Sequence, residues 1–212
     1  IVGARGEYAG PFSNSWPFYS MTHYGCLQIY EGQTDAGLNV AKAAAEAMGA
    51  SGRQFSWPMG WDLTKKQPMG YSPDRHVSAP AAWYVLYALL GLMLDQAQKT
   101  LWLRARLPAG IDSLKAPLFT PVCMGQMMVR ENASPGYQQQ LRFEFDSPIT
   151  LNAIMLRVPD SLSQCRVTLR TADGDQPCTH KLLPGPQEQT LRVVPQMPLM
   201  CQGAVVIRVD GA

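Results

Sequence analysis

Within twenty residues, Trp57, Trp61, Asp62, Tyr71, Asp74, Arg75 and His76 bring together large flat aromatic faces, carboxylates, a guanidinium and an imidazole. The run Trp57-Pro58-Met59-Gly60-Trp61-Asp62 reads as a stiffened turn carrying two indoles and a carboxylate. A sugar ring needs that combination: its C–H faces stack on aromatic surface, and its hydroxyls donate to a carboxylate. The same aromatics could instead pack over helices, and Asp74 could be no more than a loop ion-pair partner. Asp62 and Asp74 are the carboxylates of this stretch and its weak catalytic candidates. A general acid would need a pKa raised by burial or by a like charge, whereas Arg75 beside Asp74 acts in the opposite sense, so binding roles are favoured for both. His23, on a helix among aromatics, reads as structural, and His180 as an uninvolved surface residue.

Other chemistries find no support. There is no GxSxG elbow, phosphate-binding glycine loop, HExxH helix or dinucleotide fingerprint, and no cofactor is expected. Cys26, Cys123, Cys165, Cys178 and Cys201 are widely spaced and include no CxxC, which argues against a metal site. Buried reduced thiols are the favoured reading, with a disulfide between Cys165 and either Cys178 or Cys201 left open. A formal net charge of +2, with 16% charged residues, is too small for a polyanion-wrapping surface, and nucleic acid is set aside. The longest apolar run falls short of the roughly 20 residues a membrane span needs, so no span is expected.

The elements that would position the aromatic stretch are helices before and after it. Residues 1–17 read as loop, punctuated by Gly3, Gly6, Gly10, Pro11 and Pro17. Apolar spacing at Phe18, Met21, Tyr24, Leu27 and Tyr30 predicts a helix over 18–30, closed by Gly32 in the left-handed position. Thr34 as N-cap, Asp35 in the first turn and the stripe Leu38, Ala41, Ala45, Met48 predict a second helix, antiparallel to the first. After the loop, Ser78 and Pro80 open an apolar helix near Ala79–Leu94 that reads as buried all round.

Beyond Asp95 the period switches to two. Lys99–Leu107 alternates, with Arg104 and Arg106 outward. Further strands are expected at 127–131, 140–146, 150–158, 165–171, 181–183, 190–194 and 205–209, separated by turns such as Asp146-Ser147-Pro148. That spacing is the pattern of an antiparallel sandwich.

The order of these features resembles the last part of an (α/α)6-toroid glycoside hydrolase. It rests on a helix ending in IYEG, the turn QTDAGL, the loop GRQFSWPMGWD, the segment DRHVSAPAAWYVLYALLG, and then LWLRARLP and APLFTPVCMGQM, over about Tyr19–Met127. By this pattern the chain resembles family 116 glycoside hydrolases, the non-lysosomal glucosylceramidase type of β-glucosidase. The resemblance implies that the nucleophile and acid/base carboxylates lie upstream, while this region supplies sugar-binding side chains. Two departures stand out: Pro58-Met59-Gly60 replaces a Pro-Glu-Ala loop, leaving Asp62 to substitute for the glutamate, and Ser78-Ala79-Pro80 replaces Met-Arg-Pro, leaving Arg75 to reach in.

The sequence thus leads to an α+β chain, with the end of a helical toroid over 1–97, a substrate-facing loop at 52–78, and an antiparallel β region over 98–212. Its expected role is the C-terminal portion of a glycoside hydrolase, binding a carbohydrate substrate through Trp57, Trp61, Asp62, Tyr71, Arg75 and His76. The remainder of the same enzyme would be its partner, and the cytoplasm is slightly favoured as its compartment. The competing reading is a non-catalytic carbohydrate-binding or structural β-sandwich module.

Overall fold

The computed structural model describes residues 15–16, 18–50, 57–62, 65–72, 81–132, 136–185 and 188–211, with side chains over 21–47, 65–66, 83–132, 136–185 and 188–211. Two compact units divide the chain, Ile1–Ala88 and Leu89–Ala212.

In chain order the first unit holds strand β1 (Ser15–Trp16), helices α1 (Phe18–Tyr30) and α2 (Thr34–Ala50), strands β2 (Trp57–Asp62) and β3 (Gln67–Ser72), and the start of helix α3 (Ala81–Leu90). Helix α1 occupies the residues that its apolar spacing predicts, and Gly32 closes it at φ 82°. The α1–α2 turn lets the two backbones touch: a Cβ on Gly25 would lie 2.6 Å from the Gly37 carbonyl oxygen, so neither glycine has room for a side chain. Close approach of this kind buries Ile29 and Ala44 completely.

The second unit continues with β4 (Leu92–Asp95), β5 (Thr100–Leu103), β6 (Ser113–Phe119), β7 (Met124–Asn132), β8 (Gln138–Leu151), β9 (Ala153–Val158) and β10 (Cys165–Thr171). It closes with β11 (Gly174–Gln176), β12 (Cys178–Leu183), β13 (Gln189–Pro195) and β14 (Leu199–Gly211). These strands form a six-stranded sheet, β11-β10-β14-β8-β7-β6, and a five-stranded one, β12-β13-β9-β5-β4. Pairing is antiparallel except between β5 and β9, where Leu101 faces Ile154 in a parallel ladder. Period-two alternation explains the core. Leu141, Phe143 and Phe145 of β8 turn inward with Met127 and Val129 of β7 and Val205, Ile207 and Val209 of β14, while Ile154, Leu156, Leu191 and Val193 come from the other sheet. Phe143 is fully buried and meets Phe145 edge-to-face at 5.7 Å.

The expected α+β arrangement, a helical-hairpin segment of an (α/α)6 toroid ahead of the β region, is overturned. Strands make up more than half of the described residues, and the helices among them are three short ones. Three local features account for the difference. Gly91, at φ 53°, stops α3 at Leu90, so Leu92–Asp95 turns into a strand paired with β5 instead of extending the helix. Helix α3 is not buried all round either: Trp83 and Tyr84 are about half exposed, at 50% and 53%. The stretch expected as a loop is instead a regular antiparallel pair, β2 with β3, and β1 adds a third strand within what was read as loop.

Smaller corrections follow the same logic. Strand β8 continues through Asp146-Ser147-Pro148, the expected turn, as a bulge: pairing passes from Phe145–Gly203 to Ile149–Cys201, so these three residues stand opposite Gln202 alone. Strand β5 ends at Leu103, so outward alternation lapses and Arg106 is buried, 2.7 Å from Glu188. All five cysteines are free thiols, with Cys165 and Cys178 half-buried on β10 and β12.

A polar clamp ties the sheets at one end. Arg157 of β9 donates to the Ala105 carbonyl at 2.8 Å and to both carboxylate oxygens of Glu131 on β7, at 3.0 and 3.1 Å. Gln139 of β8 donates back to the Arg157 carbonyl at 3.2 Å. Tyr137 lies against this clamp with its hydroxyl buried and without a hydrogen-bond partner. Burial, and then the neighbouring Glu131 charge, push its phenol pKa up, with Arg157 opposing in part.

Two outcomes are expected. Phe143→Ala should cost about 3–5 kcal/mol of unfolding free energy, read by denaturant titration, because nothing else fills that volume. Tyr137→Phe should be neutral or stabilising by about 1 kcal/mol, since it removes a buried hydroxyl with no partner. The folded tyrosine holds its proton more tightly than the unfolded one. Its contribution is therefore complete below the unfolded value of about 10 and is lost as pH rises beyond it. Wild-type stability should fall on the alkaline side of that point, and the Phe variant should fall less steeply.

Candidate functional site

The sheet of the first unit carries four of the residues singled out from sequence. Trp57, Trp61 and Asp62 are on β2 and Tyr71 is on β3, while Asp74, Arg75 and His76 lie outside the described residues. The β2–β3 register is regular: Trp57 opposes Ser72, Pro58 opposes Tyr71, Trp61 opposes Pro68 and Asp62 opposes Gln67. Directly opposed residues share a face, and successive residues alternate between faces. Trp57 and Trp61 therefore occupy positions of one face, and Asp62 and Tyr71 positions of the other.

This placement redistributes the chemistry that the sequence suggested. A turn would have presented indoles and carboxylate together, but a strand separates adjacent residues. The pairing of β1 with β2 sets Trp16 opposite Trp61 and Ser15 opposite Asp62. One face thus holds register positions for Trp16, Trp57 and Trp61, and the other for Ser15, Asp62 and Tyr71. Trp16 was missed by sequence reasoning because Gly and Pro on both sides of it conceal a two-residue strand; the nearest signal was its aromatic type.

The two histidines with described side chains sit as structural residues would. His23 packs edge-on against Tyr84 with ring centroids 5.3 Å apart. His180 Nε2 is 3.1 Å from the Cys165 carbonyl oxygen on an exposed strand. Among the described residues, no group of three or more His, Cys, Asp or Glu side chains could hold a metal ion, and no helix is long and apolar enough to cross a membrane. Cys201 is completely buried, and burial, followed by the neighbouring Cys123, pushes its thiol pKa up to about 12. It is thus an inert core residue and not a nucleophile.

The second unit offers concave surface on the outer side of its six-stranded sheet. Depressions of about 470, 380 and 300 Å³ lie there. The first is floored by Arg166, Thr168, Arg170 and Arg208, the second by Arg130, Gln138 and Gln140, and the third by Lys115, Gln126 and Arg142. All are shallow and open, with charged and amide side chains among their lining, unlike the deep pockets that enclose small cofactors.

No protein-family model matches the sequence, and no curated protein does. Among solved structures the chain is similar to a GH127 β-L-arabinofuranosidase, Ara127N-Se from Geobacillus stearothermophilus T6, at 12% identity and a TM-score of 0.37. The alignment covers 92% of this chain and 32% of that one, so the chain spans about a third of that protein's length. The structural neighbour is a glycoside hydrolase but not of family 116, the family expected from the sequence, and a likeness this distant assigns neither fold nor activity to the chain.

Proposed function

We propose that this chain is the sugar-contacting portion of a glycoside hydrolase, in which the β1–β2–β3 sheet offers tryptophan positions to a sugar ring and the β-sandwich forms a second, separate unit. The observation that carries this reading is the register that assigns Trp16, Trp57 and Trp61 to one face of a three-stranded sheet. Trp57 and Trp61 are four positions apart on one strand, about 13 Å at the usual rise. That length suits two ring-stacking positions along an oligosaccharide. Asp62 and Tyr71, on the opposite face, and Arg75 and His76 beyond β3 are the proposed polar partners of sugar hydroxyls. The paired carboxylates that cleave the glycosidic bond would come from other parts of the enzyme.

A second reading has its own support. The unit Leu89–Ala212 has a complete two-sheet core, which is how a non-catalytic carbohydrate-binding or structural module is built.

Turnover of aryl glycosides by the intact protein separates the two. Trp57→Ala and Trp61→Ala should each lower kcat/KM about tenfold, the loss expected when apolar contact with a ring face is removed. Asp62→Ala and Arg75→Ala should lower it by a similar factor. If all four variants keep wild-type kinetics, the sugar-site assignment fails; if the intact protein turns over no glycoside yet retains glycans, the module reading takes its place.

A further inference from the structure

The outer face of the six-stranded sheet is written in charge. Strand registers set its side chains in rows that cross the strands. One row runs Thr168, Arg208, Gln140, Arg130, and the next runs Arg170, Val206, Arg142, Met128, Lys115. Arg166 heads a third row with Asp210 and Gln138. Six cations, Lys115, Arg130, Arg142, Arg166, Arg170 and Arg208, thus share one exposed face with the acids Glu144, Asp175 and Asp210.

Those acids engage half of the cations. Arg170 meets Asp175 at 2.7 Å, Arg208 meets Asp210 at 2.9 Å, and Arg142 lies 4.0 Å from Glu144. Exposed pairs like these contribute little to stability, so an incoming anion can compete for them at small cost. Lys115, Arg130 and Arg166 have no acidic partner among the described residues. Two further acids line the depression beside Arg130: Glu131 is committed to Arg157, and Asp112 forms no ion pair with Arg130. The three depressions lie along this same face, and between the cations stand amides and a hydroxyl, Gln126, Gln138, Gln140 and Thr168.

We infer that this face binds a carboxylate-bearing glycan, a polyuronate chain lying across the strands. Along a row, successive cations fall on alternate strands: Arg208 and Arg130 are two strands apart, as are Arg170 and Arg142, and Arg142 and Lys115. Two strand spacings are about 10 Å. A β-extended acidic peptide presents same-side carboxylates only about 7 Å apart, and its residue about 10 Å along faces the opposite side, so it does not fit that interval. Single-stranded nucleic acid is disfavoured because no aromatic residue stands in these rows to stack a base. In a uronate chain whose successive rings alternate in orientation, the carboxylates of every second ring share a side, with hydroxyls between them, and it is these alternate carboxylates that the guanidinium rows and the intervening amides meet. The inference shares the carbohydrate reading above but uses none of its residues.

The test is binding of de-esterified polygalacturonate to the full chain by calorimetry, with cellohexaose and poly-L-glutamate as the neutral and the acidic-peptide probes. Polygalacturonate should bind, more weakly as salt is raised from 50 to 500 mM, and the two controls should not bind comparably. Arg130→Gln with Arg166→Gln should weaken binding at least tenfold, whereas lysine at both positions should restore part of it, since charge is kept and the planar fork is lost. Thermal melts of both variants should match wild type, because both positions are exposed. Absence of polygalacturonate binding, equal binding of poly-L-glutamate, or indifference to the glutamine pair would each overturn the inference. The Trp57→Ala/Trp61→Ala variant should bind polygalacturonate normally, so failure here and failure of the glycosidase reading are read on different proteins.

Discussion

The ladder between β8 and β14 is the constraint on which the second unit depends. It runs from Gln138–Asp210 to Leu199–Leu151, interrupted only by the bulge at Cys201–Gly203. Its inner side carries Leu141, Phe143, Val205 and Ile207, all essentially buried, and its outer side carries Arg142, Gln140, Val206 and Arg208. A slip of one residue would drive arginines into the core and turn phenylalanines to water. Burial of one face therefore fixes the register, and the register in turn lays out the cationic rows on the other. The binding face is a by-product of packing as much as a feature in its own right.

The clamp of Arg157, Glu131 and Gln139 has a different function from the core. Apolar contacts between two sheets tolerate sliding, whereas a two-oxygen guanidinium–carboxylate pair anchored to the Ala105 carbonyl admits one arrangement. It sets how the sheets are aligned at that end. The neighbouring Tyr137 hydroxyl, buried without a partner, shows that the cluster is not fully optimised.

How much of this was legible in the sequence depended on whether the local signal and the tertiary outcome agreed. Helix α1 and strand β10 emerged with their bounds as read, because a periodic pattern was flanked by clear terminators. The β region and its alternation were legible as a whole. Helix α3 was over-extended because Leu92, Met93 and Leu94 continue an apolar run, and apolar runs do not distinguish a helix from a buried strand; only Gly91 marked the change. The β2–β3 pair was hidden by Pro58, Gly60, Pro68 and Gly70, residues that ordinarily argue against strands. The candidate site suffered from the same error: reading a turn put Trp61 and Asp62 side by side, and the strand places them on opposite faces. The arginines of the outer sheet face are scattered from 130 to 208 in sequence and became a pattern only once the strand order β10-β14-β8-β7 was known.

That strand order also bears on how the protein is made. Of the six strands of this sheet the last in sequence, β14, is not at an edge but in the middle, between β10 and β8. During vectorial synthesis β8 and β10 must therefore wait with unpaired edges, each a template for a wrong partner, until β14 arrives and zips between them. Cutting the chain before Leu199 would split the sheet in two, not trim its rim.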